Sequence, residues 1–170
     1  MKNGPARQSE LNYGLRRVVY DTMVAAKSLT SFSSVDKDYS ANEMAKMSGL
    51  IMARNLNAFL YCHGHDKNDD INVTDFNLSA WQPSPKARLE KEVIKRIHKI
   101  VGHIVASKPN PFKDEREVRN IILPIIREAC EFIRKCLAQE KAKYTGKASY
   151  YVPRLNGSLA ELELPKLPKS

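Results

Sequence analysis

Cysteine is scarce in this chain. Cys62, Cys130 and Cys136 are its three thiols, and no CxxC pair occurs. So odd and sparse a set excludes a disulfide framework and suits reduced thiols in a cytoplasmic protein. Long apolar runs are lacking too. No stretch approaches the roughly 20 apolar residues of a membrane-spanning helix. The opening MKNGPARQSE holds no apolar run, so neither a secretory signal nor a membrane association is expected. There is no GxSxG and no glycine-rich loop of Walker or Rossmann type, which removes the common nucleophile-elbow and nucleotide-binding classes. Strand-like alternation of useful length and internal repeats are also missing.

What remains is a chain of 170 residues, 42% hydrophobic and 28% charged. That is enough apolar material for one folded domain, and it excludes full disorder. The net charge is +9 and it is unevenly placed. Residues 1–84 are neutral overall. Residues 85–108 carry seven cations (Lys86, Arg88, Lys91, Lys95, Arg96, Lys99, Lys108) against Glu90 and Glu92. Such a segment attracts a phosphate backbone or another polyanion. The same charges also fit a solvated helix face.

Apolar periodicity predicts four helices. The first covers about 9–29, on Leu11, Leu15, Val18, Val19, Met23 and Ala26. The second covers about 41–62, opened by a capping box at Ser40–Glu43. Gly49 within it marks close packing. Residues 62–83 read as a long loop, acidic over 63–76, with Ile71, Val73, Phe76 and Trp81 as anchors. Ser84 and Pro85 open a third helix, striped by Leu89, Val93, Ile97, Ile100 and Ile104 and stopped by Pro109 and Pro111. A fourth runs from about 114 to 142, with a kink or restart expected at Pro124. Gly146, Pro153, Gly157, Pro165 and Pro168 make 143–170 an extended or partly disordered tail. The expected fold is therefore all-α: a four-helix up-down bundle over 9–142 with that tail appended.

Few residues carry chemistry. His63 and His65 lie near Asp66, Asp69 and Asp70, but no second cluster completes a ligand set, so neither a metal nor another cofactor is expected. Cys130, Cys136 and the methionines fall near helical stripes and read as core. Arg96 and His103 stand out. Seven residues apart on one helix, they differ by about 20° around its axis and lie on one edge of the apolar stripe. An Arg grips phosphate with a fork of donors and a His titrates near neutral pH. Together they can bind and cleave a phosphodiester without a metal.

Arg96-Ile-His-Lys-Ile-Val-Gly-His103 resembles the RX4–6H motif of HEPN domains, small all-α bundles of toxin–antitoxin and phage-defence systems. Arg54-Asn-Leu-Asn-Ala-Phe-Leu-Tyr61, Asp69-Asp70-Ile71, Asp75-Phe76 and Trp81 look like bacterial proteins with HEPN-like bundles. The resemblance covers about 44–106. It implies a metal-independent endoribonuclease in which His103 is the general acid–base and Arg96 binds the scissile phosphate. It also implies a homodimer, RNA as substrate and a possible cognate antitoxin. Lys95, Lys99 and Arg54 are the further candidate RNA contacts. One departure is Ile97, where active members commonly carry a polar residue. Relatives without activity serve as binding or assembly modules, so the alternatives are a non-catalytic protein-binding module (antitoxin, immunity or scaffold protein) and a nucleic-acid binder without cleavage.

Overall fold

The computed structural model describes residues 8–31, 39–61, 71–103, 112 and 114–168, with side chains placed for all of these but 39, 40 and 100–103. The described residues form five α-helices: α1 (Gln8–Ser31), α2 (Tyr39–Tyr61), α3 (Lys91–His103), α4 (Glu115–Ala138) and α5 (Lys147–Glu161). Two short 3-10 turns, Val73–Phe76 and Pro85–Ala87, fill the stretch before α3, and no strand occurs among the described residues. The all-α class holds, with five helices in place of the expected four.

The stripes do the work assigned to them. Leu15, Val18, Val19, Ala26 and Leu29 of α1 face Leu50, Ala53, Leu56 and Leu60 of α2 and the Ile122–Ile133 stripe of α4 in one core. α1 packs on α2, α4 and α5, and α2 packs on α4 and α3. Gly49 is where α2 comes closest to its neighbours. A Cβ built there would overlap Ser28 Oγ of α1 and stand 2.8 Å from Ile122 Cδ1 of α4. The expected close packing is present.

The anchors of the second loop also behave as expected. Val73 and Phe76 are buried, while Ile71 and Trp81 pack on the core. Phe132 of α4 gathers this segment, with Phe76 edge-on at 4.9 Å, Phe59 at 5.0 Å and Trp81 at 6.0 Å between ring centroids. Asn72 caps the first 3-10 turn: its Oδ1 accepts from Thr74 N, and Asp75 accepts from Asn72 N. His63, His65, Asp66, Asp69 and Asp70 lie outside the described residues, as does Cys62.

Two expectations fail, for stated physical reasons. Ser84-Pro85 does not open the third helix. It opens a single 3-10 turn, Arg88 is extended (φ −66°, ψ 131°), and α3 starts at Lys91. The break lets Ala87 and Leu89 reach the core and gives the Leu89 N–H to Oδ1 of buried Asn57 at 2.8 Å. The second failure is larger. Residues 143–170 are not an extended tail, because 147–161 form α5. Ala148, Val152, Leu155 and Leu159 repeat at helical spacing and are buried. Pro153 removes one backbone hydrogen bond, but the carbonyl it deprives belongs to exposed Ser149, which water can satisfy. The same reasoning explains why α4 runs on through Pro124 without a restart: the carbonyl left over is on exposed Asn120.

After α5 the chain turns back and is held. Leu162 and Leu167 are buried. Asn156 donates from Nδ2 to Leu167 O at 3.2 Å and accepts from Leu167 N at 2.7 Å. Arg134 of α4 donates to Pro165 O. At the other end, Gln8 Nε2 donates to Lys141 O and Asn12 Oδ1 accepts from Lys143 N, while Tyr20 meets Tyr151. Residues 141–151 thus follow residues 8–20 in the same order, and α5 runs alongside α1 in the same sense.

Candidate functional site

α3 is strongly two-faced. Ile97 is fully buried and Val93 and Ile94 pack on the core, while Lys91, Glu92, Lys95, His98 and Lys99 are exposed. Ile97 is held on the inner face by apolar packing. Arg96 sits on the edge between the two faces, its side chain 36% exposed.

That edge is occupied. Arg96 Nη1 donates to Glu117 Oε1 at 2.7 Å, across from α3 to the first turn of α4. The guanidinium also lies 4.0 Å from the ring centroid of fully buried Phe112. An Arg held by a carboxylate and a ring is fixed in direction. Glu117 is itself favoured at the α4 N-terminus, where Asp114 caps the Arg116 N–H at 2.8 Å. The arrangement ties α3 to α4, and it gives any phosphate arriving at Arg96 a carboxylate to compete with.

His103 is the last residue of α3, and its side chain lies outside the described part. The helix is unbroken from Arg96 to His103, so the two Cα positions are two turns, about 10 Å, apart along the axis. Lys95 is exposed and paired with Glu92 at 2.6 Å. Lys99 is exposed one turn further on. Arg54 stands on α2, half-buried, and donates from Nη2 to Oδ1 of neighbouring Asn55 at 3.0 Å.

Cys130 and Cys136 are buried in the core. Burial pushes the Cys130 and Cys136 thiols up to about 12. Among the described residues no three His, Cys, Asp or Glu side chains gather as metal ligands, and no helix is long and apolar enough to cross a membrane. Burial raises the Asp21 carboxyl of α1 from 3.8 to about 6, against the pull of Arg17.

Sequence reasoning missed Glu117 and Phe112 as neighbours of Arg96. Both follow the Pro109–Pro111 break, and a contact between side chains 21 positions apart leaves no periodic trace. Comparison of the chain with protein-family models, with curated proteins and with solved structures gives no match.

Proposed function

We propose that the chain is a metal-independent endoribonuclease of HEPN type, acting in the cytoplasm through Arg96 and His103. The observation that supports it best is the edge position of Arg96 on one unbroken helix that ends at His103. In the reaction, the 2′-OH of one nucleotide attacks the adjacent phosphorus. His103 takes the hydroxyl proton and a proton is returned to the leaving 5′-oxygen, while Arg96 offsets the charge on the phosphorane. The products are a 2′,3′-cyclic phosphate and a 5′-hydroxyl. Glu117 holds Arg96 until the phosphate competes for it, and Lys95, Lys99 and Arg54 hold the flanking backbone. A homodimer that sets two such edges face to face, and a cognate antitoxin that covers them, belong to the same reading.

The test is cleavage of RNA by the purified chain in EDTA. Cutting that yields cyclic phosphate ends and disappears in His103→Ala supports the proposal. Uncut RNA, or cutting that survives the substitution, sinks it.

One observation favours a second reading. Arg96 already serves Glu117 and Phe112, as a purely structural clamp does. On that reading the chain is a non-catalytic helical module for a protein or nucleic-acid partner. Arg96→Ala then lowers stability and leaves partner binding unchanged.

A further inference from the structure

The face that α1 shares with α5 is built unlike the rest of the surface. Tyr13, Tyr20 and Tyr150 are 52%, 41% and 56% exposed, three of the four large hydrophobic side chains most open to solvent among the described residues. Tyr20 and Tyr150 are joined through Tyr151, and Tyr13 stands two helical turns before Tyr20 on the same side of α1. Arg16 lies 4.8 Å from the Tyr13 centroid on α1, and Arg154 lies 3.6 Å from the Tyr150 centroid on α5. Tyr151 joins the helices, 5.2 Å from Tyr20 and 5.7 Å from Tyr150.

The charge on this face has one sign. Residues 13–20 hold Arg16 and Arg17, and residues 143–154 hold Lys143, Lys147 and Arg154, with no carboxylate in either stretch. All five are exposed except half-buried Arg16. The nearest acids in sequence are half-buried Glu10, buried Asp21 and exposed Glu140. Leu15, Val19, Val152 and Leu155 already fill the core, and much of each of these rings still faces solvent. Their flat faces, interleaved with five cations, match a ligand with flat faces and a repeating negative charge.

We propose that the α1/α5 face binds single-stranded nucleic acid, with bases stacked on Tyr13, Tyr20 and Tyr150 and phosphates held by Arg16, Arg17, Lys143, Lys147 and Arg154. A second copy of the chain is a poorer occupant, because a two-fold contact would set the same five cations against themselves. The surface is separate from α3, and binding there needs no 2′-OH.

The test uses the full chain and a fluorescein-labelled oligothymidylate of roughly 15 nucleotides, which cannot be cut by 2′-OH attack. Binding should weaken at least about tenfold in Tyr13→Ala/Tyr20→Ala/Tyr150→Ala and return in the matching Phe variant. An abasic strand of equal length should bind no better than the Ala variant binds the thymidylate. Affinity should fall with salt at a log–log slope near −2 to −3.5, and Arg154→Gln should flatten that slope by about 0.7. Lys135→Gln, an exposed cation on α4, should leave binding unchanged. Equal binding of the abasic strand, or loss of binding in Lys95→Gln/Lys99→Gln with none in the tyrosine variant, overturns the proposal. So does sedimentation that shows a dimer broken by the tyrosine substitutions. Absence of RNA cleavage by His103 leaves every one of these outcomes readable.

Discussion

On α3 the cations meet carboxylates: Lys95 meets Glu92 and Arg96 meets Glu117. On the α1/α5 face two arginines meet rings, Arg16 on Tyr13 and Arg154 on Tyr150, while Arg17 lies within reach of the Asp21 carboxyl. Both are basic, and a charge count along the chain does not separate them: residues 85–108 sum to +5, and residues 13–20 and 143–154 together sum to +5 as well. Yet a paired cation offers an incoming phosphate less, because the phosphate must displace an existing partner. A cation over a ring keeps its full charge. Net charge in sequence and availability of charge in space are therefore different quantities.

Substitutions can break that comparison. The largest effect is expected at Leu155→Asp. Leu155 is fully buried, and an unpaired carboxylate there should cost more than about 4 kcal/mol, enough to unfold the domain in a denaturant titration. If α5 were only a docked appendage, the other four helices would melt as before.

Next comes Asp21, beneath the α1/α5 face. Its folded value of about 6 against 3.8 means that folding favours the neutral acid. Below about pH 4 the group is protonated in both states and costs nothing. Between about pH 4 and pH 6 the unfolded chain gives up this proton while the fold keeps it, so stability falls across that window and levels off above it. Asp21→Asn should therefore stabilise the chain at pH 8, by at most about 2–3 kcal/mol, and leave it unchanged at pH 4. Urea midpoints for both proteins across that range will show whether the gap closes.

Arg96→Ala should cost about 1–2 kcal/mol, the sum of a partly exposed ion pair and a ring contact. A double-mutant cycle with Glu117→Ala should return a coupling of about 0.5–1 kcal/mol. Zero coupling would erase the distinction between the two edges. Gly146, the α5 N-cap, has φ +53° in open space, so Gly146→Ala should cost about 1 kcal/mol by backbone strain alone. Lys95→Ala, in a fully solvated pair, should shift the urea midpoint hardly at all, within about 0.5 kcal/mol.

Much of the fold was legible because burial follows periodicity. The stripe from Leu11 to Ala26 placed α1 within two residues at each end, and Ile122 to Ile133 did the same for most of α4. α5 was not legible. Pro153 and Gly157 outweighed a clean stripe of Ala148, Val152, Leu155 and Leu159, and the rule against proline ignores whether the orphaned carbonyl faces water. The edge position of Arg96 could be read from its angle on the helix. Its partners could not, since they come from a different helix. The tyrosine face was hidden for the opposite reason: Tyr13 and Tyr20 lie off the α1 stripe, and Tyr150 stood in a segment read as a tail.

Asn12 and Gln8 grip backbone 131 and 133 positions further along the chain. During synthesis, α1 emerges long before its last neighbour exists. Closure of so long a loop slows folding. Until it closes, the side of α1 that α5 will cover stays open, and the half-made bundle is the form that chaperones and proteases meet first.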